Sequence, residues 1–213
     1  NELGQLAGLE LDEAVGGLID RGLVQERPGG VLDFASAVIR QVAYEGADID
    51  DRIRMHRRIA QHLHDGERPA APGRIARHLE QAGERAAAAR AYLEAADAAR
   101  AVYSNREALR FFGRSLQLLA PDDYDSRFRA HAGREQILRF LGRPNEQAIE
   151  LEAMRTIARR HGGPRRRATA LLRLARFELD AARYDAVDEI LPDAIEAAHA
   201  SGDRSLELDA LRL

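Results

Sequence analysis

Tyr103-Ser104-Asn105-Arg106-Glu107-Ala108, Gly142-Arg143-Pro144-Asn145-Glu146-Gln147-Ala148 and Arg183-Tyr184-Asp185-Ala186 are three versions of one turn. In each, a helix rich in Ala and Leu gives way to a short polar break. A second helix then starts through a polar pair and an Ala. The stretches that contain these turns run from Ala87 to Leu119, from Phe128 to His161 and from Ala168 to Ala200. Taking Ala108, Ala148 and Ala186 as equivalent gives a period of roughly 38–40 residues, within the range of helical solenoids. Small Ala at these positions lets two helices approach closely. One pair alone cannot cover its own apolar stripe, so neighbouring pairs must stack. The tail from Asp203 to Leu213 begins a further helix that stops before its partner.

Upstream of the repeat, Gly66 to Gly73, with Pro69 and Pro72, reads as a linker. It is the expected boundary between a module over residues 1–66 and a helical region over 74–213. Asp48 is a good N-cap, and Ile49, Ile53, His56, Ile59, Ala60 and Leu63 follow at helical spacing. Residues 1–46 have a different plan. Leu3, Leu6, Ala7, Leu9 and Leu11 mark a short helix and its exit. Leu11 to Arg21 reads as a second helix, with Val15, Leu18 and Ile19 on one face and Gly22 as the C′ residue. Leu23 to Arg27 and Val31 to Phe34 flank Pro28-Gly29-Gly30, the pattern of a β-hairpin. A third helix follows from Ala35 to about Gly46. Helix, helix, hairpin, helix is the order of a small winged-helix module.

Composition removes several function classes. The chain of 213 residues has no Cys, hence no thiolate nucleophile and no disulfide framework. All 32 basic residues are Arg, so a P-loop lysine and a Schiff-base lysine are excluded within this chain. Net charge is −3, which argues against bulk electrostatic binding to nucleic acid or to an anionic membrane. No apolar run approaches the roughly 18–20 residues that span a bilayer. The sequence, which opens on Asn1 without a Met, reads as a piece of a longer cytoplasmic protein.

Chemistry-bearing patterns are sparse. His56, His62, His64, His78, His131, His161 and His199 form no His-Glu-x-x-His pair, and no metal site is expected. No Ser sits in a Gly-x-Ser-x-Gly elbow. Asp122, Asp123 and Asp125 after Pro121 read as helix N-capping. Arg52, Arg54, Arg57 and Arg58, and the run Arg165-Arg166-Arg167, read as solvated faces or intrachain ion pairs; an anion or acidic-partner site is the alternative. The helix over 11–21 carries Asp12, Glu13 and Asp20 against Arg21 alone. It has no mid-helix Asn, Gln or Arg to read base edges, so DNA contact is expected only through a domain outside this chain.

Phe34-Ala35-Ser36-Ala37-Val38-Ile39-Arg40-Gln41-Val42-Ala43-Tyr44-Glu45 and Met55-His56-Arg57-Arg58-Ile59-Ala60 carry a resemblance to a known family. So do Ile75 to Gly83, Ala88 to Ala96 and the Tyr103–Ala108 turn. The chain resembles large bacterial regulators with a signal-transduction (STAND-type) AAA+ ATPase core, a winged helix and tetratricopeptide-like repeats. Members include LuxR-type transcriptional regulators and ATPases joined to adenylate cyclases or protein kinases. The resemblance covers about residues 10–120, and beyond that only a generic helical-repeat likeness remains. Ser36 stands where the family usually has a His that approaches nucleotide phosphates, which weakens nucleotide sensing there. Arg40 and Tyr44 match the pattern.

The resulting expectation is an all-α chain with one short β-hairpin, a winged-helix-like module followed by a tetratricopeptide-like α-solenoid. It is not itself an enzyme. The chain holds no cofactor, ATP belonging to an upstream ATPase domain of the same polypeptide. Ser36, Arg40 and Tyr44 are the candidate switch residues facing that domain. Arg90, Glu94, Arg134, Arg173 and Arg176 are polar positions on the first helix of each pair. They are the candidate contacts to a partner protein or small-molecule inducer. A plain protein–protein scaffold and a sensor feeding a cyclase or kinase are the competing functions.

Overall fold

The computed structural model describes residues 13–65 and 71–213. The expected helix with Leu3, Leu6, Ala7, Leu9 and Leu11 lies outside the described residues, as does the 66–70 part of the expected linker. The chain is all-α with one short antiparallel hairpin. It divides into two compact units, Asn1–Met55 and His56–Leu213. The division falls inside a helix and not in the Gly66–Gly73 stretch. Pro72 and Gly73 open a helix there instead of breaking one, since the first helical position has no use for an N–H.

In the first unit, residues 13–20 are helical (α1). Gly22, at φ 67°, closes the helix, its N–H bonded to the Ile19 carbonyl at 2.8 Å. β1 (Val24–Arg27) pairs with β2 (Val31–Phe34), Val24 opposite Phe34 and Arg27 opposite Val31. Gly29 and Gly30 take φ 92° and 74° in the turn, a conformation that costs a residue with a Cβ. α2 (Ala37–Gly46) starts two residues later than Ala35 because Ser36 is its N-cap: the hydroxyl accepts from the Ile39 N–H at 3.2 Å. α3 (Ile49–Asp65) begins directly after Asp48 and crosses the division.

The second unit continues with α4 (Pro72–Gln81), α5 (Arg85–Ala101), α6 (Asn105–Leu118), α7 (Tyr124–Phe140), α8 (Pro144–His161), α9 (Pro164–Asp180), α10 (Tyr184–Ser201) and α11 (Arg204–Leu211). The helices α5, α7 and α9 are each 17 residues long and start at residues 85, 124 and 164, steps of 39 and 40. Their partners α6, α8 and α10 start at 105, 144 and 184, the same steps. Five turns have their left-handed residue two positions before the next helix: Gly83, Tyr103, Gly142, Ala182 and Gly202; the α6–α7 and α8–α9 connections have none.

Contacts fix the directions. Arg85 donates to the carbonyls of Leu118 and Gln117, Ser115 to that of Ala89, and Tyr92 packs on Phe111, so α5 and α6 are antiparallel. Tyr124 at the start of α7 stacks on His161 at the end of α8, ring centroids 3.5 Å apart. Alternate helices run parallel. Asp97 meets Arg129, Arg100 meets Gln136, Glu135 meets Arg173, Arg139 meets Asp180, and Arg165 meets Asp203. Each of these contacts joins residues roughly one repeat apart, and together they form an arginine ladder from α5 through α7 and α9 to α11. Asp123 caps α7 by accepting from the Ser126 N–H at 3.1 Å.

The repeat's small-residue positions differ from those expected. The fourth residue of each second helix is the buried one: Ala108, Gln147 and Val187. Ala148 is exposed and Ala186 half-buried, so the Ala-based alignment was one residue out of phase in the second and third pairs. The twelfth residue of each first helix is buried too: Ala96, Glu135 and Ala175. Between pairs, the fully buried Phe112 ring lies on Gly133, where an added Cβ would overlap it.

Candidate functional site

The middle pair breaks its own pattern. Where its neighbours bury Ala96 with Ala108, and Ala175 with Val187, it buries Glu135 and Gln147, 3% and 5% exposed. The Gln147 amide donates to Glu135 Oε1 at 2.8 Å, and Arg173 reaches across from α9 to Glu135 Oε2 at 2.8 Å. Arg173 also donates to the Ala132 carbonyl at 2.7 Å. One turn along α8, buried Glu150 accepts from His131 Nδ1 and Arg134 Nε, both at 2.7 Å. Burial pushes the Glu150 carboxyl up, but the His131 and Arg134 bonds outweigh it and hold the group below the usual carboxylate range.

Glu135 and Arg173 line a cavity of about 450 Å³ bordered by α7, α9, α11 and Leu213. Arg139, Arg176 and Asp209 stand around it, with Leu172 in its apolar wall. Arg139 is already paired with Asp180 at 3.1 Å. A second cavity, about 290 Å³, adjoins it at Gln136 and is flanked by Tyr103 and Phe140, 79% and 73% exposed. Tyr103 holds φ 58°, an uncommon conformation for an aromatic residue.

The structure brings two of the five expected partner contacts together: Arg173 and Arg176 share the first cavity. Arg90 and Glu94 are exposed further back on α5. Arg134 is bonded inside the fold, to Glu150 and to the Leu109 carbonyl at 3.3 Å. In the first unit, Ser36 is the α2 cap, Arg40 is exposed one turn on, and Tyr44 lies half-buried under the Arg52 guanidinium, 5.4 Å from its ring centre. The Arg165–Arg167 run pairs within the chain, to Asp203, Asp125 and Asp193. Arg54 and Arg57 do likewise, with Asp51 and Glu84.

Sequence reasoning missed Glu135, Gln147 and Glu150, because polar residues on a helix read as solvent-facing; Asp209 is solvent-facing, and only the packing of α11 brings it to the cavity. The signal was there in the repeat itself, since Glu135 and Gln147 occupy positions that are small or apolar one period to either side. Among the described residues no cluster of three His, Asp or Glu side chains can hold a metal ion, and no helix is long and apolar enough to cross a membrane. Comparison with known proteins finds no family model, no curated relative and no solved structure that matches this chain.

Proposed function

We propose that the chain is the regulatory, signal-sensing part of an ATP-dependent cytoplasmic regulator of the LuxR type. In this reading the first unit docks on an ATPase domain of the same polypeptide. The helical repeats form a tetratricopeptide-like solenoid whose surface takes a partner protein or small inducer. The chain performs no reaction itself, and DNA is met through another domain.

The observation that carries the reading is the unspent apolar surface of the first unit. α2 buries none of its side chains. Val38 and Val42, one helical turn apart, are 72% and 64% exposed, and Val31 and Leu32 of the hairpin are exposed beside Phe34. Such a face on a small unit is what a docking surface needs. The resemblance of residues 34–60 to the STAND-type regulators supplies the occupant, the ATPase domain. A docked module and a ligand-bearing repeat array give two states whose balance a ligand shifts by binding one better. A scaffold, or a sensor serving a cyclase or kinase, would share the repeats. It would differ in the reading frame: a scaffold has no Walker A motif upstream.

The test uses the complete gene product. Val38→Asp with Val42→Asp should raise basal ATPase activity by releasing the docked unit, and deleting residues 74–213 should abolish its response to inducer. Unchanged ATPase output in both variants would overturn the reading.

A further inference from the structure

We propose that the cavity between α7, α9 and α11 binds a small zwitterion of the α-amino acid class, its carboxylate on Arg176 and its ammonium on Asp209. This names the inducer class for the repeat surface and rests on the sensing reading above.

Two independent observations meet here. The first is the break in the repeat. Replacing an Ala or Val seam by buried Glu135 and Gln147 gains no stability, since a buried ion pair at best balances its desolvation cost. Departures from a fold's own rules concentrate at functional sites. Glu135, one member of this departure, lines the cavity. Glu135 anchors Arg173 at 2.8 Å and so holds the α9 face, one turn before Arg176, against α7.

The second is the charge left over. Five charged side chains line the cavity. Arg173 is neutralised by Glu135, and Arg139 by Asp180. Arg176, half-buried on α9, and Asp209, exposed on α11, meet no charged partner among the described residues. One free cation and one free anion across a single cavity are complementary to a ligand that carries one of each. A guanidinium offers a carboxylate two parallel N–H bonds, and a carboxylate accepts from an ammonium. Leu172 provides apolar wall for the ligand's side chain. At about 450 Å³ the cavity lies within the range of small-molecule sites. A simple dianion would leave Asp209 facing like charge, and a diamine would do the same to Arg176.

The test is calorimetric titration of this chain with each of the twenty free amino acids, and then with analogues of any that bind, lacking the amine or the carboxylate. At least one amino acid should bind saturably, and each analogue at least tenfold more weakly. Arg176→Gln and Asp209→Asn should each weaken binding at least tenfold while thermal unfolding stays unchanged; Arg106→Gln, exposed on α6 away from the cavity, should leave binding intact. Binding by none of the twenty, or equal binding by the analogues, overturns the inference. If no amino acid binds yet the complete protein's ATPase still depends on residues 74–213, the inference falls and the sensing reading stands. If binding occurs without any ATPase response, the site stands and the sensing reading falls.

Discussion

The middle helix pair and its two neighbours share one backbone and solve its packing in different ways. Helix starts, first-helix lengths and the left-handed residue before each second helix repeat at steps of 39 and 40 residues. At the two buried positions the outer pairs use Ala96 with Ala108 and Ala175 with Val187. The middle pair uses a carboxylate, an amide and a borrowed guanidinium. The backbone repeat is thus robust to chemistry at its seam, provided every buried polar group finds a partner. The apolar seams make no polar bond to a neighbouring pair. The polar seam needs α9 in place, so it couples two repeats.

The most damaging change therefore removes one member of the polar seam. Arg173→Ala leaves the Glu135 carboxylate buried with only an amide for company and is expected to cost about 3 kcal/mol in denaturant unfolding. Removing all three groups together, Glu135→Ala, Gln147→Ala and Arg173→Ala, should recover most of that loss because no charge is left unpaired. A triple variant weaker than the single one would show that the three seams are not equivalent solutions.

Next comes the contact between pairs. Gly133→Ala drives a methyl into the Phe112 ring, which is fully buried and has nowhere to turn. Overpacking of this kind is expected to cost about 2 kcal/mol. The equivalent tenth position of α5 is Glu94 and of α9 is Arg173, both long side chains, so the repeat itself does not demand glycine there; Gly73 on α4 lies against Phe111 in a similar way.

The turns give a smaller and opposite effect. Of the five left-handed residues, Gly83, Gly142 and Gly202 take that conformation freely, while Tyr103 and Ala182 do not. Ala182→Gly should stabilise the chain by up to about 1 kcal/mol, and Gly142→Ala should destabilise it by a similar amount. Stabilities that moved in the same direction would break the equivalence of the turns. Tyr103→Gly also removes an exposed ring, so Ala182 is the cleaner measurement.

Much of this architecture could be read from the residues, and the failures have a common cause. Gly22, Pro28-Gly29-Gly30 and the Asp123 cap were readable because a left-handed turn or a free N–H is a local demand that few residue types meet. The repeat was readable as a period but not in phase. Alignment on Ala chose Ala148 and Ala186, whereas the packing surface runs through Gln147 and Val187. Burial of Gln147 depends on Glu135, twelve residues away on another helix, and no local pattern records that. Arg173 and Arg176 were identified from helix polarity, but their distinction was not. One is committed to Glu135, the other is uncommitted, and only the relation of α9 to α7 and α11 separates them.

The last contrast sets the polar seam, which is held by charge, against a contact between α3 and α4 that is held by neutrality. His56 Nδ1 and His78 Nδ1 lie 2.8 Å apart, so one ring donates and the other accepts, and two imidazolium rings cannot share the bond. Burial lowers both pKa values below the ordinary histidine range; His56, Arg74 and Arg77 press that of His78 down further. The folded state therefore binds fewer protons than the unfolded chain below about pH 6.5, the ordinary histidine value. Stability rises with pH through that window and is flat above it. Glu150 contributes in a separate window. Its lowered pKa makes its contribution complete above the ordinary carboxylate range and lost as pH falls through the lowered value. Denaturant midpoints between pH 7.5 and 5 should thus fall modestly for the wild-type chain, and less for His78→Gln, whose amide carries no titrating proton. The same slope in both would mean that the histidine pair contributes nothing to the pH dependence. A wild-type midpoint flat down to pH 5 would mean that the pair tolerates a proton, and the α3–α4 contact would then be held by charge as the middle seam is.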